Sequence, residues 1–183
     1  MENAVCTVVT RNHFHYAKTL MESIERSGTQ AQRFVLVIDA AEDKDRFASD
    51  LFETITLECL SIPRLKEQCF SHTAYEMCAF SKPFLMEYVL GIGFSKALFA
   101  DGDTCVYHSL DYAIRLLEDH DGLFTPHITQ PLDDDHFPND QIMLNNGTIN
   151  VGFFALKASS RTTAFLKWWQ QKVLSDCYLE PER

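Results

Sequence analysis

Residues 96–104 read KALFADGDT, an apolar run that ends on two carboxylates with one glycine between them. The run from Lys96 to Ala100 predicts a buried strand, and Asp101 and Asp103 follow it directly. Carboxylates this close repel and raise each other's pKa unless a cation or a set of hydrogen-bond donors lies beside them. The stretch therefore predicts a strand whose carboxyl end carries a binding site.

Segments with the pattern of strands and helices alternate along the rest of the chain. Such alternation predicts an α/β fold with a mostly parallel sheet and helices on both faces. Ligands of these folds collect at the carboxyl ends of the strands, where Asp39 also lies. The predicted strands are 4–10, 34–38, 54–60, 96–100, 123–125 and 150–156, and the predicted helices are 12–27, 43–52, 73–90, 111–118, 140–144 and 161–174.

Local signals refine three of these segments. Asn12 is a good N-cap for the first helix, which Gly28 ends. Pro83 predicts a break in the helix 73–90, with Ser81 as the cap of its second half. The stretch 127–138 is rich in Pro, Asp and His and predicts a long loop of the kind that is often functional.

The composition excludes several classes of partner. The chain has 183 residues and a formal net charge of -10, with no basic block, which argues against nucleic acid or an anionic membrane as the main partner. Neither a secretory signal nor a transmembrane segment is predicted. The six cysteines form no CxxC pair, which favours buried, reduced thiols and a cytoplasmic protein.

Three chemistries use an Asp-x-Asp pair, besides a solvated acidic turn without function. A calcium loop requires a ligand at residue 105 and a glycine at residue 106, and Cys105 and Val106 exclude it. A phosphatase of haloacid-dehalogenase type carries the motif on its first strand, by resemblance to that family, whereas about a hundred residues precede it here. In nucleotide-sugar transfer, two carboxylates hold Mg²⁺ or Mn²⁺ against a diphosphate.

Several motifs in order resemble one family over nearly the whole chain. These stretches are similar to GT-A-fold glycosyltransferases, closest to bacterial enzymes related to the glycogenin and galactosyltransferase group (family 8-like). The resemblance implies a Rossmann-like GT-A fold and transfer of a sugar from a nucleoside-diphosphate sugar, uridine-based, to a hydroxyl acceptor. The motifs are FSKPFL at 80–85, ALFADGD at 97–103, TPHI at 125–128, NVGFFAL at 150–156 and FLKWW at 165–169.

The resemblance assigns the metal and diphosphate end of the site. Asp103 is implied as the principal ligand of Mn²⁺ or Mg²⁺, and Asp101 as a contact of the metal or of the donor's ribose. Lys82, on the helix before that strand, is implied to lie against Asp101 or the diphosphate. Catalysis would then depend on these three residues together with Asn150.

The same resemblance assigns the nucleoside and sugar ends. Thr10 and Asn12 are implied to hold the base or ribose, and Asp39 to bind the base. Asn150 and Gly152 match the segment that lines the cleft for the donor sugar and the acceptor. The acceptor would be a glycan, a lipid-linked sugar or a protein.

The resemblance also bears on the extent of the domain. We expect one domain over residues 1–183 that lacks the family's usual C-terminal extension, since the sequence ends at Glu180-Pro181-Glu182-Arg183. In the family, that extension supplies a further metal ligand and part of the acceptor wall. Self-association or a partner would then complete the site, or the domain would bind nucleotide sugar without turnover. Trp168 and Trp169 are interpreted as core and helix surface, and His127 as a candidate binding residue.

Overall fold

The structure, a computed structural model, describes residues 2–41, 43–131, 137 and 139–176. These residues form six strands, six α-helices and three short 3₁₀ turns. The strands are β1 (Asn3–Val9), β2 (Gln32–Val37), β3 (Glu53–Ile55), β4 (Lys96–Ala100), β5 (Gly122–Pro126) and β6 (Ile149–Lys157). The helices are α1 (Phe14–Arg26), α2 (Leu65–Ser71), α3 (Ala74–Gly91), α4 (Asp111–Leu116), α5 (Asp140–Asn146) and α6 (Ser160–Asp176).

All six strands form one sheet in the order β3-β2-β1-β4-β6-β5. The pairs β3-β2, β2-β1 and β1-β4 are parallel, whereas β6 runs antiparallel to both β4 and β5. The predicted α/β fold with a mostly parallel sheet is therefore confirmed. Because β1 and β4 are parallel neighbours, their carboxyl ends lie at the same edge of the sheet, where β6 begins.

Helices cover both faces of this sheet, as predicted. Along β1, Ala4, Cys6 and Val8 pack on one side against the buried residues of α3 and α6. Val5 and Val9 pack on the other side against α1 and α4. A parallel strand covered on both faces is apolar along its whole length, which explains the continuous runs in β1, β2 and β4.

Helix α3 passes through Pro83 without a break, so the prediction of two helices is wrong. Residues 80–86 are all buried, and this packing outweighs the backbone hydrogen bond that a proline removes. Ser81 does not cap a helix, since its hydroxyl donates to the carbonyl of Cys78 at 3.1 Å. The cap of α3 is Thr73, which forms a reciprocal capping box with Glu76.

Four other features of the fold differ from the predictions. Asn12 is not a helix cap, because it lies inside a 3₁₀ turn, Arg11–His13, that precedes α1. The predicted helix 43–52 is a shorter 3₁₀ turn, Lys44–Phe47, and β3 is only three residues long. Helix α2 is absent from the predictions, since seven residues give too short a pattern to distinguish a helix from a loop.

The prediction of buried thiols is wrong for Cys59, Cys69 and Cys105, which are exposed. Cys6 is buried, and none of the described cysteines forms a disulfide. Part of the predicted loop 127–138, Cys177 and the terminal residues 180–183 lie outside the described residues. No helix within the described ranges is long and apolar enough to cross a membrane.

Thr7 provides a test of the packing under the sheet edge. Its hydroxyl is fully buried and has no hydrogen-bond partner among the described residues. We predict that Thr7→Val raises the free energy of unfolding by about 1 kcal/mol, because it removes a buried polar group without a partner. Urea denaturation measures the change.

Thr54→Val is the matched control, since Thr54 is also a buried strand threonine but donates to the carbonyl of Phe47. This substitution should lower the free energy of unfolding by about 1 kcal/mol. Equal losses from both substitutions would contradict the description of Thr7 as a buried hydroxyl without a partner.

Candidate functional site

A cavity of about 960 Å³ lies at the edge of the sheet where β1 and β4 end and β6 begins. We call it the candidate cavity. Its lining comes from β1, α1, α3, β6 and the turn after β4. Six of the eight residues predicted for the site line it, namely Thr10, Lys82, Asp101, Asp103, Asn150 and Gly152.

The centre of the candidate cavity is an ion pair between α3 and the end of β4. The ammonium of Lys82 lies 2.8 Å from Asp101 Oδ1 and donates to the carbonyl of Val151 at 3.1 Å. It also lies 4.6 Å from the centroid of the Phe99 ring. The Lys82 side chain is 8% exposed and that of Asp101 is 40% exposed, so a nearly buried cation supports a carboxylate that faces the cavity.

The turn after β4 packs tightly against β1. Gly102 is buried, and a Cβ added there would lie 2.5 Å from Val9 Cγ1. This contact, rather than the approach of a ligand, requires a glycine between the two carboxylates. The Thr104 hydroxyl and backbone N–H both donate to the Asp101 carbonyl, at 2.7 and 3.1 Å, and Asp103 is exposed.

Strand β6 contacts Asp101 through its backbone and leaves space for its carboxylate at Gly152. The backbone N–H of Asp101 donates to the Gly152 carbonyl at 2.8 Å, and the Gly152 N–H donates to Asn150 Oδ1 at 2.7 Å. A Cβ at Gly152 would lie 2.9 Å from Asp101 Oδ2 and 2.8 Å from Asn150 Oδ1. Gly152 therefore leaves the space that the Asp101 carboxylate and the Asn150 amide oxygen occupy.

Aromatic side chains that the sequence did not single out line another part of the candidate cavity. His13 is hydrogen-bonded to the Thr10 hydroxyl at 2.7 Å and stacks on Tyr16 with the ring centroids 5.8 Å apart. Tyr75, at the start of α3, also lines the cavity and is 85% exposed. The only sequence signal for them is an aromatic side chain within a turn of a strand end or a helix start, which is too common to identify a site.

Cys78 also lines the candidate cavity and is absent from the predicted site. Burial raises the pKa of its thiol to about 11, although the nearby Lys82 ammonium acts in the opposite direction. The thiol is therefore protonated and unreactive at neutral pH.

The structure does not bring Asn12 and Asp39 into the lining of the candidate cavity. The Asp39 carboxylate accepts the backbone N–H of Arg11 at 2.8 Å, which holds the turn after β1. The Arg11 guanidinium lies 3.2 Å from Asp43 and 5.8 Å from the centroid of the Phe47 ring. Asn12 is exposed on the same turn.

The two carboxylates of the turn after β4 supply part of a ligand set for a divalent cation. Asp101 and Asp103 offer hard oxygens of the kind that Mg²⁺ and Mn²⁺ prefer. No group of three His, Cys, Asp or Glu side chains placed to hold a metal occurs among the described residues. The two carboxylates therefore fit a cation that takes its remaining ligands from water or from a bound anion, as Mg²⁺ does at phosphates.

His127, directly after β5, also lines the candidate cavity and contacts the residues between α5 and β6. Its Nδ1 lies 2.8 Å from the Gly147 carbonyl oxygen, and its backbone N–H donates to the Thr148 carbonyl at 3.0 Å. Because a carbonyl only accepts, Nδ1 carries the proton and donates it. In the neutral ring, Nε2 is then the acceptor.

Solved structures with a similar fold are glycosyltransferases. The glycosyltransferase GlyE of Streptococcus pneumoniae TIGR4 matches with a TM-score of 0.56 and 13% identity, over 95% of this chain and 38% of GlyE. The galactosyltransferase LgtC, solved with donor and acceptor sugar analogues, matches with a TM-score of 0.53 and 16% identity, over 93% of this chain and 60% of LgtC. Mouse xyloside xylosyltransferase 1 matches with a TM-score of 0.50 and 12% identity, over 94% of this chain and 75% of the xylosyltransferase.

These likenesses concern the fold. No protein-family model matches the sequence, and no curated protein matches it. The chain has the α/β architecture of GT-A glycosyltransferases, with helices around a mostly parallel six-stranded sheet. It spans 38% of the length of GlyE and 60% of the length of LgtC.

Gly102 provides a test of the turn that presents the two carboxylates. We predict that Gly102→Ala lowers the free energy of unfolding by about 1–3 kcal/mol, because the new methyl overlaps Val9. Gly91→Ala, at the end of α3, is the control, since a Cβ there meets nothing within 4 Å. Urea denaturation of both variants measures the difference. An unchanged free energy of unfolding in Gly102→Ala would contradict the close packing of Gly102 against Val9.

Proposed function

We propose that the candidate cavity binds a nucleoside-diphosphate sugar, uridine-based, and that the domain transfers the sugar to a hydroxyl group of an acceptor. The observation that carries the proposal is the Lys82–Asp101 pair beside Asp103, at the strand ends where α/β folds bind ligands. A diphosphate needs compensating positive charge, and Lys82 is a cation held in place by burial. The glycosyltransferase folds of GlyE and LgtC support the same proposal.

We further propose that Asp101 and Asp103 hold Mn²⁺ or Mg²⁺ together with the diphosphate. Asp101 Oδ1 bonds Lys82, which leaves Oδ2 and the exposed Asp103 carboxylate as the donors. A divalent cation bound there would neutralise the charge that develops on the departing diphosphate. The Lys82 ammonium would also stabilise this negative charge. It is well placed to do so, because three neighbours fix its position before any ligand binds.

Other residues of the lining would contact the nucleoside at one end and the donor sugar and acceptor at the other. His13, Tyr16 and Tyr75 offer rings against which a nucleobase can stack, and the Thr10 hydroxyl is oriented by His13. Asn150, Gly152 and His127 lie on the β6 side, where a donor sugar and an acceptor hydroxyl would meet. The acceptor class proposed from the resemblance remains a glycan, a lipid-linked sugar or a protein.

A second candidate function is binding of the nucleotide sugar without turnover. One observation favours it: the described residues offer two carboxylates rather than a group of three metal ligands. Metal-dependent binding of UDP without hydrolysis of any UDP-sugar would support this second function. A phosphatase of haloacid-dehalogenase type has no such support, since the Asp-Gly-Asp turn follows β4 and not the first strand.

A panel of nucleoside-diphosphate sugars tests the proposal. A donor present at 100 times its dissociation constant should raise the free energy of unfolding by about 2.7 kcal/mol, which for a chain of this size is a shift in Tm of roughly 5–10 °C. The shift should require Mn²⁺ or Mg²⁺ and should disappear in Asp103→Asn. Thermal denaturation with and without metal gives the measurement.

Asp119→Asn is the control for that experiment, since Asp119 is an exposed carboxylate outside the candidate cavity. It should respond to the donor as the unsubstituted protein does. Absence of a shift with every donor, in the presence of either metal, would reject the proposed function.

Lys82→Met separates the contribution of the ammonium to binding from its contribution to folding. Removing one partner of a buried ion pair costs several kcal/mol when the remaining charge stays buried, but Asp101 is partly solvated, which reduces the loss. We predict that the free energy of unfolding falls by about 1–3 kcal/mol, and that UDP binding by the folded variant weakens at least tenfold. Urea denaturation and titration calorimetry measure the two effects, and undiminished binding would exclude Lys82 from the site.

A further inference from the structure

An apolar groove of about 590 Å³ lies beside the candidate cavity, between α6 and the antiparallel strands β5 and β6. Its volume falls within the range of roughly 300–1,000 Å³ that is typical of small-molecule sites. Large apolar side chains form most of its lining, principally Phe124, Ile149, Val151, Phe165, Trp168 and Trp169. We call it the apolar groove.

Several of these side chains are open to solvent. Trp168 is 54% exposed, Ile149 46% and Phe124 38%. Neighbouring large apolar side chains that stay exposed mark a binding surface, because scattered single residues are the ordinary pattern. The two charged residues of the lining, Lys172 and Asp176, form an ion pair with each other at 3.2 Å. The groove therefore offers apolar contact and little net charge to a ligand.

The apolar groove is continuous with the candidate cavity. Ala79, Ile149 and Val151 line both. The carbonyl of Val151 accepts a hydrogen bond from the ammonium of Lys82 at 3.1 Å, so a residue of the groove directly contacts the Lys82–Asp101 ion pair of the cavity. A molecule with one apolar end and one polar end could thus fill both spaces at once.

We propose that the apolar groove binds the alkyl chain of a lipid-type acceptor whose hydroxyl-bearing head lies in the candidate cavity. This inference rests on the proposed function, since the head is the group that receives the sugar. An amphiphile fits the arrangement because the polar and apolar spaces share a wall. A protein partner fits it less well, because the charges at the groove rim are already paired.

The two tryptophans of the chain both line the groove, so intrinsic fluorescence reports its occupancy. The probe is n-octyl β-D-galactoside below its micelle concentration, with methyl β-D-galactoside as the matched compound without the chain. We expect the octyl compound to change the tryptophan emission saturably and the methyl compound to leave it unchanged. Hexyl and heptyl glycosides should bind progressively more weakly than octyl, by roughly two- to fourfold for each methylene removed.

Two substitutions locate the response. Trp168→Ala removes one exposed wall and leaves Trp169 as the reporter, and it should weaken octyl galactoside binding at least fivefold. Tyr112→Ala, which removes an exposed aromatic side chain from α4, is the matched control and should not change it. Ile149→Asp provides a second test at another exposed position, since its carboxylate would disfavour an alkyl chain.

Three outcomes would overturn the inference. They are equal binding of the octyl and methyl compounds, octyl binding that Trp168→Ala and Ile149→Asp both leave intact, and a dimer in sedimentation velocity that occupies the groove and excludes the probe. The donor is absent from these titrations, so their result is independent of the nucleotide-sugar panel. Donor binding without any preference for the alkyl chain would reject the groove inference alone, whereas alkyl binding without donor binding would reject the proposed transferase function.

Discussion

The arrangement of the candidate cavity depends on one buried cation, the ammonium of Lys82. It contacts the Asp101 carboxylate, the Val151 carbonyl and the Phe99 ring, and so connects α3, β4 and β6 at a single point. Removing a charge from water is costly unless partners surround it, and here the partners come from β6 and from β4 with the turn that follows it. The carboxylate that faces the cavity is therefore held by the core and not by a flexible loop.

Two glycines make this arrangement sterically possible. Gly102 allows the turn after β4 to lie against Val9 of β1, and Gly152 allows β6 to pass beside the Asp101 carboxylate. The backbone bond from Asp101 to Gly152 then extends the β4-β6 pairing beyond the end of β4. Together these contacts place two carboxylates at the wall of a cavity large enough for a nucleotide sugar.

Part of this centre was predicted from local signals and part from the resemblance. An apolar run followed by Asp-Gly-Asp identifies β4 and the residues at its end, whereas the position of Lys82 against Asp101 was implied by the resemblance that FSKPFL carries. The continuity of α3 through Pro83 could not be predicted, because it depends on burial between distant elements. The roles of Asn12 and Asp39 at the nucleoside came from the resemblance and stay predictions; the structure places both outside the lining of the candidate cavity, with Asp39 bonded to the backbone N–H of Arg11. His13, Tyr16 and Tyr75 come together only through the sheet topology, so no short pattern identifies them.

The central claim is that a divalent cation and a diphosphate bind together at Asp101 and Asp103. The most direct measurement is paramagnetic broadening by Mn²⁺ of the backbone amide signals in NMR spectra, recorded with and without UDP. If both bind there, UDP should strengthen the broadening of residues 101–104 and 151–152, and Mg²⁺ in excess should reverse it. Broadening centred elsewhere, or unchanged by UDP, would contradict the claim.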